Sequence, residues 1–219
     1  MNMSYQIIPN VELKKGSNIM VYGPTFTGKS MFVRSIFRDF ISRGYGGIYV
    51  LTKDSAETLM SWLGTGYDSR KVRIIDCVTK SMVGNVKDTD SVKYSTVMDL
   101  TGISAKISKF FEDFWRSGIK NIVVVFDSLS TLLMYMNLQT VFRFLHILTG
   151  RVKITESIAF YIVEDGMHDE KTIVTLKQLF SGVVEFKEDN GRKYVRFVSP
   201  FMQTEWREIV VDEEAVVVT

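Results

Sequence analysis

The chain has 219 residues, of which 46% are hydrophobic and 24% charged, and its formal net charge is +2. This length predicts a single α/β domain over residues 1–219 with an ample core. The balanced charge gives little support to strong non-specific DNA binding, which needs a concentrated basic patch. The single cysteine, Cys77, cannot form an internal disulfide. Neither a signal peptide nor an apolar run of about 18 residues is present, so we expect a cytoplasmic protein without a membrane span.

Strand and helix patterns alternate along the first third of the chain, which predicts a sheet with parallel strands and helical crossovers. The predicted strands are residues 18–22, 47–52 and 71–76. The predicted helices are residues 29–43 and 54–63, the second capped by Asp54 or Ser55. Residues 77–97 then show no clear period, so they are either a functional or mobile loop or a solvated excursion.

The remainder of the chain continues the alternation and then changes character. The predicted elements are helices over residues 99–117, 130–152 and 169–180, and buried strands over 121–127 and 157–163. The helix over 130–152, with a break expected near Gly150, has surplus apolar surface that either packs in the core or meets a partner. The turn Asp189-Asn190-Gly191 predicts a hairpin of residues 183–186 and 194–198, and residues 206–211 predict a further antiparallel strand.

Residues 23–30 have the sequence Gly-Pro-Thr-Phe-Thr-Gly-Lys-Ser, which fits the phosphate-loop pattern G-x-x-x-x-G-K-[ST]. A predicted strand precedes it and a predicted helix follows it, so the helix N-terminus faces the bound anion. Lys29 is expected to reach the β- and γ-phosphates, and Ser30 to bind Mg²⁺. The loop therefore predicts nucleotide binding. The predicted binding residues are Gly23, Thr25, Phe26, Thr27, Gly28, Lys29, Ser30 and Met31.

Asp127 ends the most apolar predicted strand, where a carboxylate lies at the carboxyl edge of the sheet. With Ser30 it is the expected Mg²⁺ ligand, and the alternative is a buried helix cap. Hydrolysis needs a further group to orient water. Two strand tips supply candidates, namely Lys53, Asp54, Glu164 and Asp165. Surface positions without a role are an equal alternative for each of the four.

With these residues in place, the chain resembles the RecA superfamily, in particular the single-domain KaiC-like and recombinase-paralogue ATPases common in archaea. The resemblance is carried by residues 8–9, 15–17, 21–24, 99–104, 125–130, 145–150, 159–164 and 182–185. It implies a RecA-like core with a mainly parallel sheet, helices on both faces and antiparallel strands from the C-terminal hairpin. It also implies that residues 23–30 hold ATP and that Asp127 holds Mg²⁺.

The chain departs from this family at two places. The family's catalytic carboxylates, usually two Glu, fall on Lys53 and Asp54, and an ammonium is no base at neutral pH unless its pKa is strongly depressed. We therefore expect slow ATP hydrolysis or none, unless Asp54 or Glu164 substitutes, with Lys29 as the remaining catalytic group. The Lys-x-Arg finger of ring-forming relatives falls on residues 199–201, which are Ser, Pro and Phe, and this weakens the case for an active hexamer.

Three functions remain open from the sequence. The first is a nucleotide-dependent regulatory switch that acts on an unidentified protein partner, with oligomerisation open. The second is a DNA-associated recombinase paralogue, for which the loop residues Lys80, Lys87, Lys93 and Tyr94 are the nearest candidate contacts. The third, a small-molecule phosphotransferase, is the weakest because residues 164–171 are acidic. The apolar tail over 215–218 is expected either to pair with a neighbour's sheet edge or to be disordered.

Overall fold

A computed structural model describes residues 5–212 and 215–218. The strands are β1 (Tyr5–Ile8), β2 (Val11–Leu13), β3 (Asn18–Gly23), β4 (Gly46–Leu51), β5 (Val72–Asp76), β6 (Val92–Tyr94), β7 (Ile122–Asp127), β8 (Ile158–Glu164), β9 (Gly182–Asp189), β10 (Arg192–Ser199), β11 (Met202–Gln203), β12 (Arg207–Val211) and β13 (Val216–Val218). The helices are α1 (Lys29–Ser42), α2 (Ala56–Leu63), α3 (Thr79–Val83), α4 (Leu100–Arg116), α5 (Leu129–Tyr135), α6 (Leu138–Ile154) and α7 (Glu170–Lys177).

Within the described residues, one large mixed sheet organises the molecule. Its strand order is β13-β12-β10-β9-β3-β8-β7-β4-β5-β6, with β11 paired to β10 and with β1 and β2 forming a separate hairpin. The strands from β9 to β6 in this order are parallel, and the strands that follow β9 in the chain add antiparallel pairs. The predicted fold class, a mainly parallel sheet with antiparallel C-terminal strands, is confirmed.

Helices cover both faces of this sheet because its central strands are apolar on both sides. Every residue of β4, β7 and β8 is buried, which is the pattern of parallel strands with helical cover. On one face α1 packs its apolar stripe, including Phe37 and Phe40, against Tyr49 and Phe160. On the other face α4, α5, α6 and α7 pack around a second core. Because these strands run parallel, their carboxyl ends lie along one edge of the sheet.

Three parts of the chain differ from the sequence prediction. The helix predicted over residues 130–152 is two helices, and the break lies at Met136–Asn137 rather than near Gly150, because the Asn137 side chain accepts a hydrogen bond from the Thr140 amide at 2.9 Å and caps α6. Residues 77–97 contain α3 and the edge strand β6. Residues 216–218 form β13, which pairs with β12 of the same chain, whereas the sequence analysis expected either pairing with a neighbour's sheet edge or disorder.

Asp76, at the end of β5, ties the loop regions at this edge to the sheet. Its side chain is fully buried and accepts hydrogen bonds from the backbone N–H groups of Ala56, Val78 and Thr79, each at 2.8 Å, and from the Thr79 hydroxyl at 2.6 Å. One carboxylate therefore starts α2 and closes the turn into α3. Buried donors that lose such a partner are costly because water cannot replace it.

We expect Asp76→Ala to lower the free energy of unfolding by about 2–4 kcal/mol, because several buried donors lose their acceptor together. Urea denaturation followed by circular dichroism measures this change. The matched control is Glu112→Ala, whose carboxylate makes only a 3.8 Å surface ion pair with Arg116, and which we expect to cost less than about 0.5 kcal/mol. Equal effects of the two substitutions would contradict the anchoring role of Asp76.

Candidate functional site

The loop between β3 and α1 closes tightly on itself. Thr27 Oγ1 donates a hydrogen bond to the Pro24 carbonyl oxygen at 2.8 Å, and the Lys29 ammonium donates to the same carbonyl. Gly28, with a φ of 94°, starts α1, and a Cβ at this position would come within 2.6 Å of the Val211 side chain in β12. Glycine is therefore required at this residue both for its backbone conformation and for its close approach to a neighbouring strand.

A cavity of about 290 Å³ lies over this loop. It is lined by the loop and the first turn of α1, and by one residue from each of two other strand ends. The lining residues are Thr25, Phe26, Gly28, Lys29, Ser30, Met31, Lys53 and Glu164. Amide groups in the first turn of a helix have no intrahelical partner and favour anions. The cavity therefore combines a helix N-terminus with two ammonium groups.

Three charged residues of the cavity wall meet the buried Asp127, and we call these residues the four-charge cluster: Lys29, Lys53, Asp127 and Glu164. Lys29 Nζ lies 2.8 Å from Glu164 Oε2. Lys53 Nζ lies 3.1 Å from Asp127 Oδ1 and 3.2 Å from Glu164 Oε1. The cluster thus contains two cations and two anions, and Glu164 bridges the two lysines.

The strand order brings these four residues together. The strands β3, β8, β7 and β4 are neighbours in the sheet, and their register aligns Gly23 with Glu164 and Leu51 with Asp127. Lys29 follows β3 through the loop, and Lys53 follows β4 by two residues. Four sequence-distant charges therefore lie close together because four parallel strands end at the same edge of the sheet.

The pKa values of the cluster follow from its ion pairs. Burial alone would raise the pKa of Glu164, but the hydrogen bonds and charges of Lys29 and Lys53 hold it below its usual value. Burial alone would lower the pKa of Lys53, yet Asp127 and Glu164 raise it. For Lys29 burial outweighs the contribution of Glu164, so its pKa is lowered. Glu164 is consequently a weak base.

The structure brings most of the predicted site residues together, and four of them lie off the cavity wall. Thr27 is buried in the loop, and Gly23 lies in β3, where a Cβ would come within 2.6 Å of the Phe186 carbonyl oxygen. Asp54 forms an ion pair with Arg34. Asp127 is 2% exposed and is in contact with Lys53. The roles assigned to all these residues stay predictions.

Sequence reasoning missed the hydroxyl side chains that hold the strand ends. Thr52 Oγ1 accepts a hydrogen bond from the Ser128 amide at 2.7 Å, and the Thr52 amide donates to the Asp127 carbonyl oxygen at 2.8 Å. Ser130 Oγ accepts from the Glu164 amide at 2.9 Å. A hydroxyl residue directly after a buried strand was the available signal.

Of the residues considered for DNA contacts, Lys80 lies in α3, Lys87 lies between α3 and β6, and Lys93 and Tyr94 lie in the edge strand β6. Lys93 pairs with Asp88 at 3.9 Å, and the Tyr94 amide donates to Asp88 Oδ1 at 2.9 Å. An acidic residue therefore accompanies this basic segment. At residues 199–201, where ring-forming relatives carry a cationic finger, Phe201 is 97% exposed in the turn between β10 and β11.

These features define a protein with a RecA-like fold of the KaiC-like kind. A solved structure with this fold is the KaiC-like protein PH0186 from the hyperthermophilic archaeon Pyrococcus horikoshii OT3, with a TM-score of 0.69 and 16% sequence identity over 94% of this chain and 91% of that one. The chain belongs to the DUF7504 family, described as a family of unknown function, whose model matches residues 16–186. A sequence search of curated proteins gives no match.

The expected Mg²⁺ ligands do not fit a metal ion in this arrangement. Asp127 Oδ1 is in contact with the Lys53 ammonium, and Asp127 does not reach the cavity wall. Among the described residues, no group of three or more His, Cys, Asp or Glu side chains is placed to hold a metal. A metal between Ser30 and Asp127 requires Lys53 to leave its position.

None of the helices within residues 5–212 has the length and apolarity needed to cross a membrane.

The lowered pKa of Glu164 predicts a pH dependence of stability. A carboxylate with a depressed folded-state pKa stabilises the protein above its unfolded pKa of about 4.3 and loses that contribution as the pH falls through the folded-state value. We therefore expect the stability advantage of the wild type over Glu164→Gln to be largest near neutral pH and to shrink steadily below about pH 4. Urea denaturation of both proteins across this range measures it, and a constant difference would contradict the ion-paired state of Glu164.

Proposed function

We propose that the chain binds a nucleoside triphosphate, with ATP as the expected ligand, in the cavity over the loop that follows β3. The observation that carries the proposal is the position of the Lys29 ammonium beside the first turn of α1 at one cavity wall. A positively charged side chain and a helix N-terminus together favour phosphate groups. The RecA-like fold and the loop pattern support the same conclusion.

We further propose that hydrolysis is slow or absent. A carboxylate that activates water needs an accessible position and a basic oxygen. Glu164 is the one carboxylate among the described residues that line the cavity, and its two lysine partners lower its pKa. Asp54 is engaged by Arg34. Lys53 occupies the position of the principal catalytic Glu in the family that the sequence resembles. The groups that remain at the site are therefore poor bases.

A nucleotide-dependent switch is the role that this arrangement favours. Phosphate groups that bind Lys29 compete with Glu164 for the same ammonium. Glu164 ends β8 and begins the segment that leads through the exposed residues Asp165–Met167 to α7. Asp165 accepts a hydrogen bond from the Tyr22 hydroxyl. Displacement of Glu164 therefore changes a surface that a protein partner is able to contact.

The recombinase alternative stays a prediction from the resemblance, since no contact among the described residues favours DNA. A single domain over residues 1–219 is likewise proposed rather than tested. Its support is that one apolar core includes residues from Tyr5 through Ile209, and that β10 and β12 extend the same sheet.

Lys29→Ala tests the nucleotide site. We expect the wild type to bind ATP with micromolar affinity, and the variant to bind at least about tenfold more weakly, because a charge-assisted contact to phosphate is lost. Isothermal titration calorimetry measures both. The control is Lys109→Ala, which removes a lysine that pairs with Asp113 on the surface of α4. Turnover above about one per minute that Lys29→Ala abolishes would contradict the proposal of slow hydrolysis.

Glu164→Gln tests the competition between Glu164 and phosphate. We expect this variant to bind ATP about three- to tenfold more tightly, because the substitution removes a negative charge from beside Lys29. The same titration is applied to Glu112→Gln, an exposed position on α4, which is expected to leave the affinity unchanged. Weaker binding by Glu164→Gln would mean that the carboxylate assists the nucleotide, and the switch proposal would fail.

A further inference from the structure

We propose that Lys53 supplies the cation of the nucleotide site, so that this chain binds nucleoside phosphates as free anions rather than as complexes with a divalent metal ion. The inference rests on the proposed nucleotide-binding function and adds to it the chemical form of the ligand.

The position of the Lys53 ammonium carries the argument. It lies between two carboxylates, 3.1 Å from Asp127 Oδ1 and 3.2 Å from Glu164 Oε1, and Lys53 also lines the cavity. An ammonium has three donors. One of them is donated to Glu164 Oε1, and the ammonium forms an ion pair with Asp127 Oδ1, so a donor remains for a phosphate oxygen in the cavity. Lys53 thereby joins the carboxylate pair to the ligand, which is the electrostatic task of a bound metal.

The surroundings of Asp127 disfavour a divalent ion. Mg²⁺ requires about six oxygen ligands in near-octahedral geometry at about 2.0–2.1 Å. Asp127 is almost fully buried, and its Oδ1 contacts Lys53. A divalent ion bound at this oxygen would lie next to an ammonium group, and the repulsion between two cations at such a distance is large in a partly desolvated site.

The backbone keeps Lys53 close to Asp127. The preceding residue, Thr52, donates its amide hydrogen to the Asp127 carbonyl oxygen at 2.8 Å, and its hydroxyl accepts from the Ser128 amide at 2.7 Å. Leu51 is aligned with Asp127 across the β4–β7 pair. The root of the Lys53 side chain is therefore fixed beside the carboxylate, and Asp127 remains its partner when phosphate takes Lys29 from Glu164.

The charges of the cluster balance without any added ion. Lys29 and Lys53 carry two positive charges, and Asp127 and Glu164 carry two negative charges. A nucleotide polyphosphate then meets two ammonium groups and a helix N-terminus. Free nucleotide is consequently the preferred ligand.

The deciding experiment is calorimetric titration of the full chain with a non-hydrolysable ATP analogue, in EDTA and in excess MgCl₂. We expect the affinity in EDTA to be at least as high as the affinity in MgCl₂, or to be lower by no more than about threefold. A larger loss of affinity in EDTA would overturn the inference and leave the proposed nucleotide binding intact. No binding in either condition would overturn the proposed function, and the inference with it.

Lys53→Met provides a second, independent arm, with Lys109→Met as the matched control. In EDTA we expect Lys53→Met to bind the analogue at least about tenfold more weakly, because its carboxylates have lost their cation. Addition of MgCl₂ should restore part of the lost affinity of Lys53→Met. It should not raise the affinity of the wild type or of Lys109→Met. Electron paramagnetic resonance with Mn²⁺ and the analogue should show a bound ion in Lys53→Met and none in the wild type. Equal affinity of Lys53→Met and wild type in EDTA would overturn the inference, and if the variant fails to fold, the wild-type comparison still decides.

Discussion

The ion pairs of the four-charge cluster are the interactions on which the chemistry of this protein depends. A lysine at the end of β4 contacts Asp127 and Glu164, and Glu164 in turn contacts Lys29 of the phosphate loop. Each carboxylate that could otherwise bind a metal or activate water is thereby neutralised by an ammonium. The same contacts keep Lys29 at the cavity wall, and they are the basis on which we propose phosphate binding together with slow hydrolysis.

The sheet makes this cluster possible. Four parallel strands end at one edge, and their register fixes the backbone from which each charged side chain extends. Hydroxyl groups of Thr52 and Ser130 then bind backbone amides at the neighbouring strand ends. Because apolar helices cover both faces, the strands are held together by their cores rather than by the charges. The fold therefore depends mainly on these cores and little on the charged residues of the proposed site.

Much of the fold followed from patterns along the chain. The buried strands β3, β4, β7 and β8 and the hairpin of β9 and β10 were predictable because apolar runs and turn residues are local signals. The break between α5 and α6 was misplaced because Asn137, which caps α6, looks in the sequence like an ordinary polar residue on the surface of a longer helix. The edge strand β6 and the pairing of β13 escaped prediction because short strands gain their stability from partners distant in sequence.

The sequence by itself determined that residues 23–30 have the phosphate-loop pattern and lie between a strand and a helix, and that Lys53, Asp127 and Glu164 lie at strand ends. These are properties of neighbouring residues. Only the tertiary structure decided which charges meet, since Lys53 and Glu164 are 111 residues apart, and only strand order and register bring them within 3.2 Å. The tertiary structure also pairs Asp54 with Arg34 in an ion pair and places Val211 against Gly28. Ion pairing depends on distances between side chains, and a linear sequence does not contain those distances.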